Sequence, residues 1–182
     1  MSTTVRTART TRAPRAANAR PVAGKSSGGG WLRAANRAMG RIPDDLIALL
    51  ARFSIAAVFW QSGQTKVHGL TIDLLEGRFD LGWPRLSHSA VALFREEYRL
   101  PLLPPELAAT LAALAEHALP ALLLLGLGTR FAALGLLVMT AVIQFLVYPG
   151  AYATHGVWAA VLLYLMAHGP GRLSVDNALG WR

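Results

Sequence analysis

The sequence predicts an all-α integral membrane protein, a four-helix bundle with both termini in the cytoplasm and a short amphipathic helix in its first outer loop. Three observations lead there. Of the 182 residues, 53% are hydrophobic and only 15% charged, and the mean hydropathy is positive; an ordinary soluble domain does not have this balance. Four apolar segments each approach the ~20 residues that cross a ~30 Å hydrocarbon core. The basic residues are unevenly spread: nine of the eighteen Lys and Arg precede residue 42, a stretch without a single acid. The net charge of +8 therefore belongs to a tail rather than a folded surface, which argues against nucleic acid as a partner. The chain has no cysteine, so disulfides, thiolate metal sites and chemistry by its own thiols are excluded.

Residues 1–41 read as a basic, largely disordered cytoplasmic tail. They are rich in Arg, Thr, Ala and Gly, with no apolar periodicity before Trp31, and residues 1 to about 30 are expected to be disordered. An organelle presequence is the alternative for such an Arg-rich, acid-poor start; the lack of an apolar h-region argues against a secretory signal. Residues 42–182 form the transmembrane domain. Its first segment, 46–66, follows Pro43, Asp44 and Asp45, a proline and two carboxylates suited to a helix start. The second runs from about Pro105 to Leu127, the third from 130 to 148, and the fourth from about Tyr152 to His168.

Loop charge sets the orientation. Arg130 lies between the second and third segments, and Arg172 and Arg182 follow the fourth. The first loop offsets four Arg with five acids, and "PGAYATHG" has no Lys or Arg. Lys and Arg favour the cytoplasmic side, so residues 67–104 are expected outside. Within them Ser87 or Ser89 is a candidate cap, and Val91, Phe94 and Tyr98 share one helical face before Pro101 and Pro104. This helix is expected to cover the bundle mouth, or to act as a lid or docking site.

The polar residues inside the apolar segments form the candidate site. Glu116 is central in the second segment, where a bare carboxylate costs several kcal/mol and must face protein or water. Ala108, Ala112 and Glu116 share a face that admits a neighbouring helix. Arg52, Ala56, Phe59, Gly63 and Lys66 make one stripe on the first helix. With helix centres aligned, Arg52 is the expected partner of Glu116, and Lys66 is expected to snorkel to the outer interface. Such a pair fixes helix register, handles protons or recognises a polar head group.

His117 lies about 100° around the helix from Glu116 and is expected to hydrogen-bond a neighbouring helix. Gln61, Gln64 and Gln144 are candidate supporting groups. Pro120 removes the hydrogen bond to the Glu116 carbonyl, giving either a kink with a small pocket or a harmless bend. No metal site is expected. His117, His155 and His168 lie at unmatched depths, which argues against haem. No catalytic residue can be assigned.

The order "ARFSIAAVFWQSGQTK", then "LFREEYRLPLLPPELAATLAALAEHALPALLLLGLGTRFAALGLLVMTAVIQF", then "HGPGRLSVD" resembles the DoxX family of small four-helix bacterial membrane proteins, over about residues 46–180. Arg52, Lys66, Glu116 and Arg130 are the matching positions. The resemblance implies a bacterial inner-membrane location and a membrane subunit of a redox or thiol/oxidative-stress system. Some relatives belong to a thiosulfate:quinone oxidoreductase. A quinone is then the implied cofactor, and membrane lipid and a protein subunit are the implied partners. Without Cys or a Gly-rich dinucleotide fingerprint, the electrons have to come from that partner. Other readings are a non-enzymatic scaffold for a periplasmic or secreted protein and a small transporter. Whether the chain is an enzyme, and whether it self-associates, stays open.

Topology reporters check the orientation. Fusions at residue 2 and after Arg182 are expected to report cytoplasm, and one at Gly82 the outer side. A cytoplasmic Gly82 would sink the four-span arrangement.

Overall fold

The computed structural model describes residues 30–73 and 77–181. The expected disorder of residues 1 to about 30 falls almost wholly outside them. The described residues fall into two units that divide between Gly40 and Arg41. In the first, α1 (Gly30–Met39) is helical, within a segment expected to be largely disordered. Trp31, Ala35 and Met39 share one face at four-residue spacing, and Arg33 and Arg37 the opposite one.

The second unit is mostly helical, with four helices long and apolar enough to span a membrane: Asp44–Gln64, Pro105–Leu125, Thr129–Val147 and Pro149–His168. These are α2 (Asp44–Gln64), α4 (Pro105–Leu125), α5 (Thr129–Val142, continued by a π-helical turn Ile143–Val147) and α6 (Tyr152–His168, entered through a 3-10 turn Pro149–Ala151). Asp44 and Asp45 occupy the first turn of α2, and Pro105 the first turn of α4. The helices meet in the cyclic order α2, α4, α5, α6. Their core joins Ile55, Ala56 and Phe59 to Leu123, Ala132, Ala133, Leu136, Leu162 and Leu165, the alanines allowing close backbone approach. Leu50, Phe53, Leu114, Phe131 and Phe145 point outward, between 53% and 81% exposed, as side chains facing lipid should.

The all-α expectation needs one correction. Residues 67–86 form an antiparallel hairpin of β1 (Val67–Asp73) and β2 (Arg78–Leu86). Leu70 pairs with Leu81 and Ile72 with Phe79, and the register shifts between His68 and Leu70. The shift rests on Gly69, whose φ is +84° and where a Cβ would stand 2.6 Å from the Trp83 carbonyl oxygen. After the hairpin, α3 (His88–Leu93) runs into a π-helical turn, Phe94–Tyr98. Ser87 caps it, its hydroxyl accepting from the Ala90 N–H at 3.1 Å. Phe94, with Val91 and Tyr98, packs on Ala108 and Ala109 of α4.

At the opposite end one side chain ties three segments together. Arg52 is 2% exposed. Its Nε donates to the Leu123 carbonyl at 2.7 Å and Nη2 to Leu124 at 2.6 Å, while Nη1 donates to Pro170 at 3.1 Å and Leu173 at 2.7 Å. Leu123 and Leu124 end α4, where carbonyls lack the donor that a further helical turn would bring and favour a cation; the Gly126 N–H also reaches the Leu123 carbonyl at 3.0 Å. Gly126 follows with φ +68°, and a Cβ there would meet Arg52 Nη2 at 2.9 Å and Ser174 Cβ at 2.5 Å. The short α7 (Val175–Ala178) closes the knot. Asp176 donates its N–H to the Gly126 carbonyl at 2.8 Å, and its carboxylate accepts from the Gly128 and Thr129 N–H groups at 2.7 and 2.9 Å. "GLGTR" and "GPGRLSVD" are thus two sides of one junction around Arg52.

Arg52→Ala should lower unfolding stability in detergent by about 3 kcal/mol or more, since it removes four charge-assisted hydrogen bonds from a buried junction. Arg52→Lys should recover only part, because one ammonium cannot span both carbonyl pairs. Unchanged unfolding of Arg52→Ala would show that the junction holds without the guanidinium.

Candidate functional site

The last turn of α2 and the middle of α4 build a buried polar cluster. Gly63 makes it possible: a Cβ at that position would lie 2.9 Å from the His117 ring and 3.1 Å from Glu116 Cβ. With Gly63 level with Glu116, α4 runs eleven residues, about 16 Å at 1.5 Å per residue, beyond the end of α2. The hairpin and α3 lie along that overhang.

Lys66 sits just beyond α2, with its side chain turned back. Its Nζ stands 2.7 Å from Glu116 Oε2, both side chains being 4% exposed. Ser62 bridges the pair, donating to Glu116 Oε1 at 3.3 Å and accepting from Lys66 Nζ at 3.0 Å. Lys66 Nζ also donates to the Ser62 carbonyl at 3.3 Å. A buried ion pair is tolerated when further hydrogen bonds meet its remaining donors and acceptors, and Ser62 contributes them on both sides.

His117 belongs to a second, uncharged chain of bonds. Its Nδ1 lies 2.7 Å from the Ala113 carbonyl, which can only accept, so this nitrogen carries the proton. Nε2 then accepts from Gln64 Nε2 at 2.9 Å, and Gln64 Oε1 accepts the Ile72 N–H at 2.9 Å. Trp60 donates to the Ile72 carbonyl at 3.2 Å and meets the imidazole edge-on, with ring centroids 5.1 Å apart. The hairpin strand β1 is therefore wired to α4 through Gln64 and His117.

Beside this chain lies a cavity of about 230 Å³, walled by Val67, Leu70, Pro84 and Leu86 of the hairpin and Thr110, Ala113, Leu114 and His117 of α4. Its polar groups are the imidazole and the Thr110 hydroxyl, the latter donating to the Glu106 carbonyl at 2.7 Å. Further along α4, burial and then the negative charge of Glu116 push the Tyr98 phenol up from its ordinary range. Tyr98 meets Tyr148 edge-on at 5.8 Å. The Tyr148 hydroxyl donates to Glu97, and this bond, ahead of burial, raises its pKa.

Lys66, Glu116 and His117 are brought together, as is Gln64. Arg52 is not: it faces the α4 carboxyl end, and the expected pair with Glu116 does not form. Lys66, expected to snorkel outward, is 3% exposed. Both differences have one cause. Aligning helix centres sets Arg52 near Glu116, but the guanidinium finds its acceptors at Leu123 and Leu124, and the helices stagger to meet them. Gln61 is exposed. Gln144 lies elsewhere, its Oε1 accepting from His155 Nδ1 at 2.7 Å and its amide donating to the Pro149 carbonyl at 2.7 Å. Pro120 is buried inside an uninterrupted α4, and the cavity lies at His117 instead. Among the described residues no group of His, Cys, Asp or Glu is arranged to hold a metal ion. Sequence reasoning missed Ser62, Trp60 and the backbone of Ile72; "WQSGQTK" contains the first two, but nothing there reveals the strand that supplies the third.

The family model that matches this chain is DoxX, over residues 47–149, more than half the sequence. No curated protein and no solved structure matches it.

In a double-mutant cycle, Glu116 and Lys66 should couple by more than about 1 kcal/mol, whereas Glu116 and Arg52 should show coupling near zero. Glu116→Ala alone should cost a few kcal/mol, and apolar replacement of both partners should recover much of it. Strong coupling to Arg52 instead would overturn the stagger.

Proposed function

The chain belongs to the DoxX family and is a multi-pass integral membrane protein; we propose that it is the membrane subunit of a bacterial redox or thiol/oxidative-stress system, with a quinone head-group pocket beside His117. The observation that carries this reading is the cavity of about 230 Å³, apolar on most sides, next to a buried acid and base. It is smaller than the ~300–1,000 Å³ of drug-sized sites, a size suited to a single ring, so an isoprenoid tail would leave along the outward face of α4 near Leu114, which is 63% exposed. Residues 67–104 face the outer side in this reading, and both termini the cytoplasm.

When bound, a quinone supplies two-electron, two-proton acceptor chemistry. The protein's own part is binding and proton handling. The walls from Val67, Leu70, Leu86 and Leu114 exclude water. His117 and Thr110 are the polar groups on the cavity wall; each donates to an α4 carbonyl, Ala113 and Glu106 respectively, and the Thr110 hydroxyl would turn from Glu106 to donate to a quinone carbonyl, while Trp60 with Gln64 fixes the imidazole. Glu116 and Lys66, joined through the Ser62 hydroxyl, hold an exchangeable proton one residue from His117. A partner subunit supplies the electrons.

A second reading, a membrane scaffold for another protein, is favoured by the hairpin, where Phe79, Leu81 and Trp83 are 62%, 76% and 83% exposed. Purification of the full chain in mild detergent, with mass spectrometry of extracted quinone and co-purifying proteins, separates the two. Quinone is expected in the wild type and about tenfold less in His117→Leu, while Glu116→Gln should keep the fold and the quinone but lose activity in the partner complex. Absence of quinone alongside a stoichiometric protein partner that holds no redox group would favour the scaffold.

A further inference from the structure

A second cleft, at the other end of the bundle, has no part in that reading. It measures about 670 Å³, lies at the α4–α5 turn, and is lined by Arg130, Arg172, His168, Phe131 and Trp181 among others. Asp176 and Asp45 also reach it, but both carboxylates are engaged. Asp176 accepts the Gly128 and Thr129 N–H groups and faces the charge of Arg52. Asp45 accepts the Arg172 N–H at 2.7 Å and stands 4.0 Å from Arg172 Nε. Arg130 has no carboxylate partner among the described residues. Its guanidinium rests beside Gly169, where a Cβ would lie 3.7 Å from Nε and Nη2. The Arg172 side chain is 84% exposed. With Arg52 counted, three guanidinium groups thus stand against two carboxylates here, and Arg130 is the one left without a carboxylate among the described residues.

The surroundings identify the kind of anion. Arg130 is the second residue of a spanning helix, and the outward apolar face begins beside it: Phe131 is 81% exposed and Leu134, one turn on, 43%. Trp181, 61% exposed, lines the same cleft, and an indole with one apolar and one polar edge suits the level of lipid head groups. A ligand with a phosphate at one end and apolar chains at the other matches both parts. We propose that this cleft binds the phosphate of an anionic phospholipid, held by Arg130 and Arg172, with the acyl chains along Phe131 and Leu134. The site stands independently of the quinone reading. Free inorganic phosphate shares the recognised chemistry but not the apolar contacts.

The test uses the full chain, delipidated in mild detergent, and titrates phosphatidylglycerol, phosphatidylcholine and inorganic phosphate, read by native mass spectrometry and thermal unfolding. Phosphatidylglycerol should bind and raise the unfolding midpoint, and phosphatidylcholine should not. Arg130→Gln should weaken phosphatidylglycerol binding about fivefold, with a larger loss when Arg172→Gln is added. Arg130→Lys should retain most of it. Because Arg130 is exposed, its unliganded midpoint should stay unchanged, which separates lost binding from lost fold. Arg85→Gln, the same change of charge on the hairpin, should bind like the wild type. Equal weakening by Arg85→Gln, or equal binding of phosphatidylcholine, would overturn the site; an equal midpoint shift from inorganic phosphate alone would overturn lipid as its occupant.

Discussion

A guanidinium enclosed within a bundle must find acceptors there, and the positions of those acceptors fix everything packed around it. Arg52 meets the terminal carbonyls of α4 and two carbonyls of the segment after α6. Those α4 carbonyls lie past the last full helical turn and have acceptor capacity to spare, so cation and helix end satisfy each other. The remaining bonds recruit the segment 169–174, and Asp176 then closes the start of α5. Four elements are located by one side chain and the backbone groups it needs.

The stagger of α2 against α4 follows from this arrangement. Once Leu123 and Leu124 are held at Arg52, the end of α2 falls opposite Glu116, and Gly63 supplies the space for contact. The chain leaves the helix there and turns into a hairpin beside the amino-terminal half of α4. Lys66, at the exit from the helix, can turn back to Glu116 because the backbone no longer carries it away. The cavity at His117 has the same origin: it is the space left between a helix and the hairpin that replaces the missing turns of its neighbour.

The cluster contains two kinds of polar bonding side by side. Lys66, Ser62 and Glu116 form a charged group whose burial is tolerable because each member satisfies the others. His117, Gln64 and Ile72 form a neutral chain in which every proton has one direction. Gln64 connects α4 to the hairpin, so displacement of β1 would disturb the group bordering the cavity. The charges at the other end behave differently. Arg130 and Arg172 are exposed and sparsely compensated, as suits groups that meet an anion from outside the fold.

Spans are determined locally, by enough apolar residues between polar loops, and the sequence therefore located four of them and marked Arg52 and Glu116 as buried charges, with Lys66 and His117 as further candidates of the polar cluster. The Ser87 cap and the face formed by Val91, Phe94 and Tyr98 were equally local and equally legible. Partner choice was not. Whether Glu116 meets Arg52 or Lys66 depends on the relative axial position of two helices, and periodicity within either helix leaves that position free. It was decided by long-range hydrogen bonds from Arg52 to backbone carbonyls, which have no sequence signature because every residue carries one. The hairpin escaped for a related reason: the alternation of Leu70 and Ile72, and of Phe79, Leu81 and Trp83, is short and interrupted at Gly69 and Pro84. Sequence alone determined which residues must leave water; only the tertiary structure decided which of them meet, because that choice rests on distances between segments that are far apart in the chain.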